Sequence, residues 1–112
     1  NAETLARLAF LDSPGRKDFQ REIIQTYIRD TAKRLAELRA RLAAGEHVEV
    51  GKLAHTMKGS SLNVGADGFA ELMWDFERLG KAGTPSGADK IAAAEALFER
   101  VKAALLAYLG EG

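Results

Sequence analysis

Apolar residues recur at steps of three and four along almost the whole chain, and only two prolines, Pro14 and Pro85, interrupt the pattern. A period near 3.6 gathers such residues on one face of a helix, whereas a half-buried strand needs alternation. No stretch sustains alternation, so the chain is predicted to be all-α. A first segment, about Glu3–Leu11, offers Leu5, Leu8 and Ala9, and Asp12-Ser13-Pro14-Gly15 ends it with turn chemistry. The second, about Arg16–Ala44, carries Phe19, Ile23, Tyr27, Leu35, Leu38 and Leu42, and Gly45 suits its C′ position. The third runs from about Glu46 to Asn63 and stops at Gly65. Asp67 is the expected N-cap of the fourth, about Gly68–Lys81, whose stripe is Phe69, Leu72, Met73, Phe76 and Leu79. Gly83-Thr84-Pro85-Ser86-Gly87 is a breaker, and Ser86 with Asp89 has the form of a capping box with Asp in place of Glu. The fifth segment, about Ala88–Leu109, aligns Ile91, Ala94, Leu97, Phe98, Val101, Leu105 and Tyr108. Four long amphipathic helices with short connections make an antiparallel up-down four-helix bundle. The first segment is expected as a short N-terminal capping helix, with residues 1–112 forming one domain.

Composition removes several function classes. Sixteen basic and sixteen acidic residues cancel, which argues against a broad nucleic-acid or anionic-membrane footprint. The absence of Cys excludes disulfides, thiolate metal sites and Cys nucleophiles. No apolar run approaches the ~20 residues of a membrane span, so membrane insertion is not expected.

The third segment holds the most informative residues, Leu53-Ala54-His55-Thr56-Met57-Lys58-Gly59-Ser60-Ser61. With Val50 set at zero and successive residues ~100° apart, Leu53, Ala54, Met57, Ser61 and Val64 fall within about 60° and form the buried face. His55 falls near ~140°, in the company of Val48, Gly51, Lys52, Gly59 and Leu62. His55 is therefore expected to be exposed on a face that is partly apolar and short of bulk. A solvated helix face is normally Glu, Lys, Arg and Gln. Gly inside a helix costs about 0.5–1 kcal/mol relative to Ala, so Gly59 suggests that something approaches the backbone beside the imidazole. Val48, Gly51, Lys52, Gly59 and Leu62 are the expected docking surface for a protein partner. His47, eight residues before His55, reads as an ordinary surface residue, and Ser60 and Ser61 as packing residues.

A neutral imidazole is a competent nucleophile near neutral pH. Lys58, one turn on, would attract the charge of a phosphoryl group on the ring, tuning phosphorylation rather than enabling it. Phosphoryl transfer is mostly positioning and charge neutralisation. The chain has no Walker loop and no evident Mg²⁺ carboxylate cluster, so a partner must bring the metal and the phosphoryl donor.

Ala54-His55-Thr56-Met57-Lys58-Gly59-Ser60-Ser61, followed by Gly65-Ala66 and then Leu72 and Glu77, resembles a histidine-containing phosphotransfer (HPt) domain. The resemblance implies a phosphocarrier without an autonomous active site, in a two-component multistep phosphorelay. His55 would be the phosphoacceptor, moving a phosphoryl group between receiver-domain aspartates. Lys58 matches the family's phosphate-neighbouring Lys, Gly59 the Gly that lets the receiver approach, and Gly65 the turn between helices. The implied partners are response-regulator receiver domains and a hybrid histidine kinase. No intrinsic cofactor is implied, with Mg²⁺ supplied by the receiver, and the protein is expected to be a cytoplasmic monomer. Met57 stands where Leu is usual, Phe76 precedes Glu77 where Leu is common, and Trp74 is bulkier than the pattern suggests and lies toward the docking side. Two related readings leave the site similar: direct phosphorylation by an attached ATP-dependent kinase, and a receiver-binding adaptor that transfers nothing. A di-iron bundle would need Glu-x-x-His, and position 52 is Lys.

Overall fold

A computed structural model describes residues 17–82 and 88–110. These form four helices: α1, Lys17–Ala43; α2, His47–Asn63; α3, Asp67–Ala82; and α4, Ala88–Tyr108. Each boundary lies within a residue of its sequence expectation. The expected capping helix, the Gly83–Gly87 breaker and the Ser86 cap lie outside the described residues. Asp67, expected as the N-cap of α3, is instead its first helical residue.

Two glycines set the first two corners. Gly45 and Gly65 have φ of 71° and 78°, a left-handed conformation that strains any residue with a Cβ. Gly45 N–H donates to Leu42 O at 3.1 Å and Glu46 N–H to Arg41 O at 3.0 Å. Gly65 N–H donates to Leu62 O at 3.2 Å and Ala66 N–H to Ser61 O at 2.9 Å. Both are Schellman closures, which satisfy carbonyls that the helix end would otherwise strand.

With such short corners α1, α2 and α3 must double back. α1 packs on α2 and α4, and α3 packs on the same two, so the helices follow one another round the bundle in chain order. Gln20 Nε2 donates to Tyr108 Oη at 3.1 Å and Arg39 Nε to Glu95 Oε2 at 2.9 Å. Rising numbers on α1 thus meet falling numbers on α4, the mark of an antiparallel pair. Phe69 and Phe98, with ring centroids 5.8 Å apart, and Asp75 and Lys90, 3.8 Å apart, give the same sense to α3 and α4.

The core takes Ile24, Tyr27, Leu35 and Leu38 from α1, Val50, Ala54 and Met57 from α2, Phe69, Met73 and Phe76 from α3, and Ile91, Ala94, Phe98 and Leu105 from α4. The buried face of α2 is the expected one except that Leu53 is only partly buried. Ser61 is fully buried because its hydroxyl has a partner: it lies 2.7 Å from Tyr27 Oη across the α1–α2 seam. Burial pushes the Tyr27 phenol above its ordinary pKa, against the hydrogen bond to Ser61.

Two members of the expected stripes are not core. Phe19 is exposed, and Ile24 rather than Ile23 is the fully buried residue of its turn. Tyr108 is exposed and ties α4 to α1 through its hydroxyl. Both lie at one end of the bundle. Phe19 lies about 120° round α1 from the middle of the buried stripe Gln20, Ile24, Tyr27, Thr31, Leu35 and Leu38, so it is exposed while the next residue, Gln20, is buried.

Candidate functional site

α2 presents His55 away from the core, with 68% of its side chain exposed. The neighbouring residues on that face are also where the period put them. Val48, Lys52, Gly59 and Leu62 are exposed and Gly51 is partly so. A Cβ built on Gly59 would meet nothing within 4 Å, and its backbone is helical. Folding therefore gives no steric reason for Gly at this position.

Sequence reasoning quoted Glu77 only within the resemblance and gave it no place among the site residues, yet it organises the site. Glu77 of α3 is buried, with only 7% of its surface exposed, and its two oxygens are divided between the two functional candidates of α2. Oε2 lies 3.0 Å from His55 Nδ1, and Oε1 accepts from Lys58 Nζ at 2.7 Å. A buried carboxylate is tolerated when its charge is compensated and its lone pairs are used. The hydrogen bond from Lys58 holds the Glu77 carboxyl below the usual carboxylate range, against desolvation, and the bond to His55 adds to the lowering. The signal for Glu77 was present in the sequence. On a wheel zeroed at Phe69 it sits near ~80°, at the edge of the stripe formed by Phe69, Met73 and Phe76, where a lone carboxylate is anomalous.

The pairing also changes how Lys58 reads. Its side chain is only 26% exposed, and its charge is already partnered within the protein. It is not an idle surface cation. His47, at the start of α2, joins none of these contacts. Because Nδ1 of His55 is engaged by Glu77, Nε2 is the ring nitrogen left toward solvent.

Trp74 is half exposed on α3, with the Arg78 guanidinium 4.7 Å from its ring centroid. Arg78 also pairs with Asp75.

The Hpt domain profile matches residues 22–108. This chain belongs to the Hpt domain family. The crystal structure of histidine-containing phosphotransfer protein B (HptB) from Pseudomonas aeruginosa PAO1 superposes with a TM-score of 0.89 at 26% identity, over 100% of this chain and 95% of that one. A search of the curated proteins found no match. Hpt domains are phosphocarriers of two-component phosphorelays and work with receiver domains and histidine kinases. The Hpt helical-bundle fold is thus the one that the periodicity and the short corners require. Among the described residues, no helix is long and apolar enough to cross a membrane.

Proposed function

We propose that His55 is the phosphorylated residue of this Hpt domain, accepting a phosphoryl group from the aspartyl phosphate of one receiver domain and passing it to the aspartate of another. The observation that carries this reading is the division of labour around the imidazole. Nδ1 is held by a buried carboxylate, while the opposite ring edge is exposed beside a glycine whose missing side chain leaves room for a partner.

The chemistry follows from the tautomer. Glu77 is ionised and can only accept, so the proton of a neutral His55 resides on Nδ1 and the lone pair on Nε2. Nε2 attacks phosphorus. The new N–P bond forms as the P–O bond of the aspartyl phosphate breaks, and the receiver's carboxylate leaves with the bonding electrons. The ring keeps its Nδ1 proton and becomes cationic, and the Glu77 carboxylate compensates that charge. Donation to a second receiver reverses these steps. The pair Lys58–Glu77 fixes the carboxylate, and the remaining ammonium protons of Lys58 are available to phosphoryl oxygens. The Mg²⁺ that such a transfer requires is supplied by the receiver. Val48, Gly51, Lys52, Gly59 and Leu62 form the surface on which the receiver docks.

The test uses receiver domains phosphorylated with radiolabelled acetyl phosphate. Acid-labile label is expected on the wild-type protein and absent from His55→Gln. Normal labelling of His55→Gln, or label mapped to His47, overturns the assignment.

A further inference from the structure

Trp74 is the one tryptophan of this chain, and 51% of its surface is open to solvent. Its place relative to the His55 site follows from register. Glu77 meets His55 and Lys58 on α2, whereas Asp75 meets Lys90 on α4, so the two flanks of α3 are identified. Trp74 lies on the α2 flank, turned about 60° further toward solvent than Glu77 and one turn earlier. In an antiparallel pair one turn back along α3 is one turn forward along α2. One turn forward along that flank, Gly59 follows His55 and Leu62 follows Lys58, and Leu62 is itself 50% exposed. Leu62 and Trp74 thus stand on opposite banks of the α2–α3 seam, Trp74 one turn from Glu77 and Leu62 one turn from Lys58 and two from His55.

The surroundings hold the indole in place and leave it uncharged. Arg78 covers one face of the ring and is itself tied to Asp75, which Lys90 also approaches. Among the described side chains of this face, Lys58 pairs with Glu77 at 2.7 Å and Lys52 with Glu49 at 3.7 Å. What this surface offers beyond its own pairs is apolar area. Tryptophan is among the residues most enriched at the energetic centres of protein interfaces.

We infer that Trp74 is an affinity and specificity determinant for the receiver domain, an anchor that takes an aliphatic side chain of the receiver against the indole face not covered by Arg78. The inference rests on the proposed role of His55, since it takes the docked partner to be a receiver. Trp74 touches none of the reacting atoms and acts on binding alone. Loss of the indole therefore raises the concentration of receiver needed and leaves the transfer rate at saturation unchanged.

The experiment uses a panel of tryptophan-free receiver domains, screened first for phosphoryl transfer to the wild-type protein. For a receiver that labels His55, Trp74→Ala should weaken binding at least tenfold and change the saturating transfer rate by less than twofold. Trp74→Phe should recover part of the affinity. In the wild-type protein the single indole should blue-shift on receiver binding, a signal that needs no variant to fold. Unchanged affinity of Trp74→Ala with no spectral shift overturns the inference and leaves the role of His55 intact. A loss confined to the saturating rate overturns it too. A blue shift on concentrating the protein alone shows that a second copy covers Trp74, and also overturns it. If no receiver labels the wild-type protein, the proposed function fails and the inference with it.

Discussion

At the scale of single residues, Glu77 sets the terms. A carboxylate joined to Lys58 and His55 holds the imidazole through Nδ1 and, in the proposed role of His55, supplies the counter-charge for the phosphorylated ring. Removing it by Glu77→Ala should slow phosphoryl transfer by about tenfold or more, the worth of one hydrogen bond to a charged group, with receiver affinity little changed. Single-turnover transfer rates measured against receiver concentration would separate the two effects, and an unchanged rate would refute the orienting role. The same carboxylate makes stability depend on pH. Its folded pKa lies below the ordinary value of 4.5, so its contribution is complete above that value and is lost as pH falls through the lower, folded one. Thermal melts of wild type and Glu77→Gln should therefore differ by a constant amount well above 4.5, and the difference should shrink below it. A gap that widened on acidification would contradict the pairing seen here.

At the scale of the helix, α2 combines ordinary folding signals with one residue that folding does not ask for. Its ends are fixed by Gly45 and Gly65, whose left-handed backbone explains why the boundaries were legible to within a residue. Gly59 lies in regular helix with open space where a Cβ would go. Gly59→Ala should accordingly raise stability by up to about 1 kcal/mol, read from denaturant unfolding. Gly59→Gln should leave the fold intact and slow transfer by blocking the receiver. Equal transfer rates for Gln and Gly at this position would remove the docking explanation for the glycine.

At the scale of the whole molecule, the bundle separates a buried core from the exposed face proposed for receiver docking. Met57 is fully buried, and Leu62, five residues on in the same helix, is half exposed. Met57→Ala should cost about 2–5 kcal/mol by emptying part of the core. Leu62→Ala should weaken receiver binding while the thermal midpoint stays nearly constant. Paired calorimetric melts and binding titrations would show whether the two losses are independent. Comparable destabilisation by both would mean that Leu62 is core and that the docking face is wrongly drawn.

What the amino-acid sequence determined by itself was whatever depends on local order along the chain. Helix phase, helix ends and the outward direction of His55, Val48, Gly59 and Leu62 all follow from a 3.6-residue period and two left-handed glycines. The grouping of the site did not. Glu77 reaches residues 22 and 19 positions away, and which α3 carboxylate meets His55 and Lys58 is settled by the register of two packed helices. Period alone fixes a side chain's angle about its own helix and says nothing of its height against the next. The choice of stripe on α1 was settled in the same way: packing turned Gln20, Ile24, Tyr27 and Thr31 inward, which leaves Phe19 about 120° round the helix from the middle of that stripe and exposed.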